Sequence, residues 1–206
     1  MYHFFVEPHQ IGAEEIRIEG ADVNHIRNVL RMKPGEEILI SSREGGDYFC
    51  RVEELEPEYV SAKILEEWEN KELPARIHLF QGLPKGDKME LIIQKAVELG
   101  AYRVVPVSMK RSVVKLDAKK ADAKRKRWNA VSESAAKQSK RSLIPEVAPL
   151  MTYKEAVKEA AGYDMVLLPY ESADGIRKTR ELLASVKPGT DIAVFIGPEG
   201  GFEDEE

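Results

Sequence analysis

The chain has 206 residues, of which 43% are hydrophobic and 33% are charged, a composition typical of a globular protein with one large domain or two small ones. No apolar run approaches the ~18 residues that a membrane-spanning helix needs, and Met1–Val6, followed by Glu7 and Pro8, is not typical of a signal peptide. The single cysteine, Cys50, excludes a disulfide framework and a cysteine-based metal site, so a cytoplasmic protein is predicted.

Residues 1–72 predict a small β-rich domain. Short runs of apolar and β-branched residues, separated by turns of Pro and Gly, are typical of strands. The predicted strands are Tyr2–Val6, Glu15–Ile18, Glu37–Ser41, Tyr48–Leu55 and Tyr59–Glu66. One helix interrupts them, with Asp22 as its N-cap and Val23 and Ile26 on its apolar face. Strands and a helix in this number and length indicate a small barrel.

Residues 73–206 alternate between strand and helix patterns, which indicates an α/β domain with a largely parallel sheet. Asp87 is a candidate N-cap for the first helix of this domain, Glu90 is the matching capping-box residue, and Gly100 ends the helix. The predicted strands are Ile77–Gln81, Tyr102–Val107, Met165–Leu168 and Asp191–Ile196, and the later helices are Asp117–Lys140 and Gly175–Val186.

Two of these strands end in turn-forming residues, since Leu168–Glu171 follows one strand and Gly197–Gly201 follows the other. Ligands of open α/β sheets bind at the carboxyl ends of strands, and glycines let the main chain approach a ligand closely, so we expect both loops to line one pocket. The glycine loop is neither a P-loop nor a dinucleotide-binding pattern, and a tight turn without a ligand is an equal alternative. The acidic run Glu203–Glu206 predicts the first turn of a helix.

Positive charge is concentrated between Lys110 and Arg141. This segment contains twelve Lys or Arg and three Asp or Glu, a net charge of +9, whereas the whole chain carries −5. A basic face on an otherwise acidic protein indicates phosphate contacts, and the alternative is a solvated charged helix. Trp128 in this segment is either a base-stacking residue or, as is more common for a lone Trp on a helix, a core anchor.

Two other sets of residues are candidates for contacts to RNA. Lys85 and Lys88 lie at a predicted helix N-terminus, which favours anions. His25, Arg27 and Arg31 lie on the helix of the first domain, where an RNA-contacting face and an ordinary polar face are equal alternatives. The histidines lack metal-ligand spacing, and no Ser-His-Asp or Cys-His pattern supports covalent catalysis.

Several motifs in register make the whole chain resemble one family. They are GLPKGDKMELIIQKAVELGA (82–101), RSVVK (111–115), RW (127–128), ESAAKQSKRSLIPEV (133–147), LPYE (168–171) and IGPEGGF (196–202). Together they resemble the RsmE family, the 16S ribosomal RNA uridine-N3 methyltransferases of the SPOUT superfamily. NHIRNVLRMKPGE (24–36) is similar to the PUA-like RNA-binding barrel of that family. The resemblance implies a SPOUT-type α/β domain, with a trefoil knot, preceded by a small PUA-like β-barrel.

The resemblance also implies a cofactor, partners and site residues. The cofactor is S-adenosylmethionine, the partner is 16S rRNA in the 30S ribosomal subunit, the full-length protein is a homodimer, and neither a metal nor a membrane is expected. The implied cofactor contacts are Leu168, Pro169, Tyr170, Glu171, Ile196, Gly197, Pro198, Gly200 and Gly201. The resemblance places Arg111, Trp128 and Arg141 in motifs on the RNA-facing side. The charge pattern adds His25, Arg27, Arg31, Lys85, Lys88, Lys115 and Arg127 as candidate RNA contacts, and the candidate catalytic residues are Arg111 and Glu199.

The chemistry of methylation at uracil N3 suggests a role for each catalytic candidate. N3 carries an imide proton, so the nucleophile is the deprotonated ring, and a preorganised arginine would stabilise the developing negative charge. Arg111 is predicted in that role, and Glu199 and Glu171 are both candidates for the group that takes the proton.

The chain departs from the family pattern in one respect. Family members continue past the glycine loop with a third cofactor loop and a final helix that builds the dimer interface. We therefore expect this chain to lack the C-terminal knot segment, and a truncated protein of this kind to show little methyltransferase activity. Two alternatives stay open: another SPOUT enzyme, such as a tRNA 2′-O-methyltransferase, and a non-catalytic RNA-binding protein.

Overall fold

The computed structural model describes residues 1–169 and 176–206, without the side chains of residues 176–178. Proximity of Cα atoms divides the chain into two compact units. The first unit consists of Met1–Glu72 and Ala136–Ile144, and the second consists of Leu73–Ala135 and Pro145–Glu206.

The first unit contains a five-stranded sheet. Its strands are β1 (Tyr2–Val6), β2 (Glu15–Glu19), β3 (Glu37–Ser42), β4 (Asp47–Leu55) and β5 (Tyr59–Trp68), in the spatial order β1-β3-β4-β5-β2. β1 runs parallel to β3, and the other neighbouring pairs are antiparallel. A 3-10 helix, Pro8–Gln10, follows β1, and the helix after β2 is α-helical over Ala21–Asn24 (α1) and π-helical over His25–Val29. The five predicted strands are confirmed, each within two residues of its expected ends.

One face of this sheet, together with α1, buries an apolar core. Ile16 and Ile18 alternate with exposed charged residues along β2, as expected for a strand with one buried face. Register shifts in the pairing of β4 with β5 increase the local twist of both strands. The buried side chains include Phe4, Val6, Ile16, Ile18, Val23, Ile26, Ile38, Ile40, Val52 and Val60. The first unit therefore has a core of its own.

Two ion pairs connect the two segments of the first unit. Gly20, with a φ of 75°, precedes α1 and no side chain caps the helix, so the prediction of Asp22 as N-cap is wrong. The Asp22 carboxylate instead accepts a hydrogen bond from Lys137 Nζ at 3.2 Å. Glu72 pairs with Arg141, whose Nε lies 2.8 Å from both carboxylate oxygens. These pairs anchor the second segment of the unit to the first.

The second unit is built on a six-stranded sheet in which the described pairings are all parallel. Its strands are β6 (Arg76–Gly82), β7 (Arg103–Ser108), β8 (Glu146–Val147), β9 (Met151–Thr152), β10 (Met165–Leu167) and β11 (Asp191–Ile196). The order is β10-β11-β6-β7-β8, and β9 also pairs with β7. The helices are α2 (Lys88–Glu98), α3 (Ala118–Ser139), α4 (Tyr153–Ala160) and α5 (Ile176–Ala184). The predicted α/β domain with a parallel sheet is confirmed.

The central strands of this sheet are apolar along their length because both of their faces are covered. Val104, Val105 and Val107 are fully buried in β7. On the neighbouring strands, the rings of Phe80 and Phe195 stack with their centroids 4.6 Å apart. Helix α2 contributes Met89, Ile93 and Val97 to the core. No described helix of the protein is both long enough and apolar enough to cross a membrane.

The sequence does not predict β8, β9 and α4. The two strands have two residues each, which is too short for an alternating pattern. Helix α4 begins with a capping box, in which the Thr152 hydroxyl accepts from Glu155 N at 3.3 Å and the Glu155 carboxylate accepts from Thr152 N at 2.8 Å. The Thr-x-x-Glu pattern is therefore a local signal in the sequence by which the start of α4 could have been predicted.

Two other predictions about helix ends are wrong. Asp87 occupies the N-cap position of α2, but its side chain makes no capping hydrogen bond, and Glu90 pairs with Arg127 instead of completing a capping box. The acidic residues Glu203–Glu206 form a turn rather than a helix, with a hydrogen bond from Glu206 N to Glu203 O of 2.9 Å.

Candidate active site

Three loops of the second unit meet at the carboxyl edge of its sheet. They are residues 82–88 after β6, residues 109–112 after β7, and the glycine loop 197–201 after β11. A Cβ added at Gly82 would lie 2.7 Å from Cδ of Pro198 and 2.8 Å from Sδ of Met109, so only glycine fits where these loops touch. Parallel strands bring their following loops to one edge, which is where open α/β sheets bind ligands.

The glycine loop folds back on itself and presents its main chain to solvent. Gly201 N donates to Pro198 O at 2.9 Å, and the φ of 71° at Gly201 is the left-handed conformation that favours glycine. A Cβ at Gly197 would lie 3.1 Å from the carbonyl carbon of Gly201. Pro198 is buried, whereas Glu199 and Gly200 are exposed. The exposed part of the loop is therefore residues 199 and 200, and Gly200 carries no side chain of its own.

Glu199 is held on one side of the loop by α2 and the residues before it. Its carboxylate accepts a hydrogen bond from Lys88 Nζ at 2.8 Å and lies 3.2 and 3.3 Å from Lys85 N. The hydrogen bond from Lys88 is the main cause that lowers the pKa of Glu199 from 4.5 to about 2. A carboxylate with such a pKa is a weak base near neutral pH, so this geometry favours an anchoring role for Glu199 over proton abstraction. Lys88 likewise faces a protein carboxylate, although it was predicted to contact RNA.

Arg111 contacts the other side of the loop. Its Nη1 donates to Gly200 O at 2.7 Å, and its Nε donates to Glu203 Oε1 at 2.8 Å. The pairing with Arg111 lowers the pKa of Glu203. The acidic turn also reaches the adjacent lysine, because Lys110 N donates to Glu206 Oε1 at 2.9 Å and Lys110 Nζ pairs with Glu205. Sequence analysis missed these acidic partners because it assigned residues 203–206 to a helix.

The strand β10 leads to the second predicted cofactor loop. Leu168 and Pro169 are exposed at its end, whereas the predicted contacts Tyr170 and Glu171 lie outside the described residues. Leu168 lines an apolar cavity of about 290 Å³ beside β11. The other lining residues are Tyr153, Val157, Ala160, Ala161, Val166 and Phe195. An apolar wall of this kind suits the non-polar parts of a bound ligand.

The structure contradicts two of the predicted RNA contacts. Trp128 has 3% of its surface exposed and packs inside the second unit, so it is a core anchor and cannot stack on a base. Arg141 has 8% of its surface exposed and pairs with Glu72, so its guanidinium serves the first unit rather than RNA. In both cases, tertiary packing decides between alternatives that the sequence leaves open.

The other predicted RNA contacts are partly or fully accessible. His25 and Arg31 are exposed in the first unit, and Arg27 is half-buried. In the second unit, Lys115 is exposed and the side chain of Arg127 is 66% exposed, although its Nε lies 2.7 Å from Glu90 Oε1. Residues 1–169 and 176–206 contain no group of three His, Cys, Asp or Glu side chains arranged to hold a metal ion.

Comparisons with protein families match both parts of the chain. Residues 71–206 match the RNA methyltransferase domain, and residues 18–65 match the RNA methyltransferase PUA domain. The ribosomal RNA small subunit methyltransferase E of Bacillus subtilis is 36% identical over 214 residues, covering 100% of this chain and 83% of the relative. The protein of the same name from Mycobacterium tuberculosis is 29% identical over 194 residues, covering 92% of this chain and 72% of the relative.

Solved structures show the same similarity. The ribosomal RNA small subunit methyltransferase E of Neisseria gonorrhoeae, bound to S-adenosyl methionine, superposes with a TM-score of 0.78 at 30% identity, covering 100% of this chain and 83% of that chain. A putative methyltransferase of Legionella pneumophila in complex with the same cofactor gives a TM-score of 0.80 at 28% identity, covering 99% and 82%. The predicted α/β fold of an RNA methyltransferase with a PUA-like domain is confirmed. The chain belongs to the ribosomal RNA small subunit methyltransferase E family.

Proposed function

We propose that this protein is an S-adenosylmethionine-dependent methyltransferase that modifies ribosomal RNA of the small subunit, and that it transfers the methyl group to N3 of a uridine in 16S rRNA. The observation that carries the proposal is the glycine loop at the carboxyl edge of the parallel sheet, in a chain that aligns over its whole length with a relative bound to this cofactor. The choice of N3 is supported by the family resemblance of the motifs alone.

The described residues fit an adenosyl cofactor. Glu199 and Gly200 are exposed in the glycine loop, which offers N–H and C=O groups at a strand end, where the adenine edge and ribose hydroxyls of a nucleoside find partners. The apolar cavity beside Leu168 offers a wall for the non-polar faces of such a ligand. When bound, the cofactor supplies an electrophilic methyl group on a sulfonium, so the protein does not have to activate it.

The protein's own task is to bind the uracil ring, position N3 and stabilise its deprotonated form. Arg111 is the cation that lies nearest to the exposed glycines among the predicted site residues, with its Nη1 2.7 Å from Gly200 O. A guanidinium at a developing anion is an effective electrostatic stabiliser, so its predicted role is retained in the proposal. Glu199 is disfavoured as the group that accepts the N3 proton because its pKa is about 2.

The exposed cations of helix α3 are proposed to contact the phosphates of the rRNA. Lys119, Lys120 and Lys126 are exposed along this helix, and Lys115 is exposed just before it. Exposed lysines contact phosphates without reading the base sequence, so they would provide affinity and leave target selection to other residues.

We also expect the full-length protein to act in the cytoplasm as a homodimer. Light scattering of the purified full-length protein would measure its oligomeric state.

A methylation assay tests the proposal. The purified full-length protein is incubated with S-adenosylmethionine and small ribosomal subunits from a strain that lacks this modification, and the digested rRNA is examined by mass spectrometry. We expect 3-methyluridine at one position. A 2′-O-methylated nucleoside would support another SPOUT activity. Retention of RNA without any methyl transfer or cofactor binding would support a non-catalytic RNA-binding protein.

A further inference from the structure

The exposed part of the glycine loop is held mainly by charged groups from its two neighbouring loops. Pro198 is buried before it, and Phe202 packs against the core of the second unit after it. Between these two apolar anchors, residues 199–201 carry only one side chain longer than a hydrogen atom. The main chain of this segment therefore depends on contacts supplied by other parts of the unit.

Those contacts come from opposite sides. Lys88, at the start of α2, binds the Glu199 carboxylate at 2.8 Å. Arg111, after β7, binds the Gly200 carbonyl at 2.7 Å and the Glu203 carboxylate at 2.8 Å, so one guanidinium connects the middle of the exposed segment to the acidic turn that follows it. A planar guanidinium has donors in a fixed fork and can serve both acceptors at once, whereas an ammonium is a single point charge.

Global stability does not explain these pairs. The side chains of Lys88 and Arg111 are 61% and 42% exposed, and those of Glu199 and Glu203 are 34% and 41% exposed. Exposed ion pairs contribute little to the free energy of folding. They do restrict the local conformation of a segment that contains two adjacent glycines, each of which otherwise has wide conformational freedom.

We infer that Lys88 and Arg111 hold the glycine loop from both sides in the conformation that receives the cofactor, a positioning role that for Arg111 is additional to its proposed stabilisation of the uracil ring. The inference that the loop receives the cofactor rests on the proposed function. The inference that these two cations fix the loop does not, because their contacts are present in the protein alone.

The primary test measures hydrogen exchange in the unliganded protein. In Lys88→Met and Arg111→Lys, we expect the amides of residues 199–203 to exchange about fivefold faster, as removal of an exposed pair implies. Lys95→Met is the matched control, since Lys95 lies on the same helix and pairs with Glu98 at 2.7 Å away from the loop. Lys88→Arg keeps the pair and should keep the slow exchange. Unchanged exchange in both loop variants would overturn the inference.

A second test separates positioning from a purely structural role. Thermal denaturation should be unchanged in the loop variants, while calorimetric affinity for S-adenosylmethionine should fall about fivefold. A double-mutant cycle that combines Lys88→Met with Glu199→Gln should show that the two losses of affinity are not additive, because both substitutions break the same ion pair. Additive losses would contradict the pairing. If the unmodified full-length protein binds no cofactor, the proposed function fails, and the exchange experiment still decides whether the cations hold the loop.

Discussion

Acidification from pH 7 to pH 5 should destabilise the first unit through one buried histidine. His3, on β1, has 5% of its surface exposed, and its Nε2 lies 2.8 Å from Ser41 Oγ on β3. Burial disfavours the charged ring, and the nearby charges of Lys137 and Lys140 disfavour it further, so the pKa of His3 falls from 6.5 to about 4. The folded unit therefore keeps this ring neutral at a pH where the unfolded chain protonates it.

The sign and size of the effect follow from proton linkage. Well above the unfolded pKa of 6.5 the ring is neutral in both states and the histidine adds no pH dependence to the free energy of unfolding. Between the unfolded pKa of 6.5 and the folded pKa of about 4, the unfolded state binds more protons, so stability is lost as the pH falls. The expected loss is about 2 kcal/mol between pH 7 and pH 5, and about 3 kcal/mol when both states are protonated.

The assay is urea denaturation at pH 7, 6 and 5, followed by NMR of the amides of β1 and β3 so that the first unit is observed separately. His3→Gln removes the titrating group and keeps a polar side chain, so its free energy of unfolding should depend less on pH over this range. His9→Gln is the matched control, because His9 is exposed on the 3-10 helix. Equal pH dependence in His3→Gln and in the unmodified protein would refute the reasoning.

Three further predictions concern the second unit and the buried ion pair. Trp128→Ala should lower the free energy of unfolding by about 3 to 5 kcal/mol in chemical denaturation, because it empties a core position; a loss below about 1 kcal/mol would contradict its role as a core anchor. Gly82→Ala places a methyl group 2.7 Å from Pro198 and should displace the glycine loop, so calorimetry should show an affinity for S-adenosylmethionine that is reduced about tenfold. Unchanged affinity would contradict this prediction, because it would show that the glycine loop accommodates the methyl group. Glu72→Gln should lower the free energy of unfolding by about 3 kcal/mol, because it leaves the buried Arg141 charge without its carboxylate partner. An unchanged melting temperature would contradict this prediction.

Much of the fold could be predicted from local patterns. The bounds of β1 and β11 agree with the prediction, because each is a compact apolar run bounded by charged or turn-forming residues. The ends of α2 and α3 lie within one residue of the predicted ends, because the helical pattern extends over several turns in each. β8 and β9 could not be predicted, because two residues that pair with β7 carry no periodic signal.

The candidate site was predictable in its location and less so in its contacts. A strand followed by clustered glycines indicates a ligand loop, and the three-dimensional structure places that loop beside Gly82 and Arg111. The pairing of Glu199 with Lys88 joins residues that are 111 positions apart, and no local pattern predicts it. The same holds for Arg111 and Glu203, which are 92 positions apart.

By itself, the sequence determined the parallel sheet, the position of the glycine loop and, through its motifs, the family. These depend on periodicity, turn chemistry and residue order, which are properties of short segments. Only the tertiary structure decided that Trp128 is buried, that Arg141 pairs with Glu72, and that the acidic turn engages Arg111. A charged or aromatic side chain has the same local signal on a surface, in a core or in an ion pair, and only the partners brought together by folding distinguish these environments.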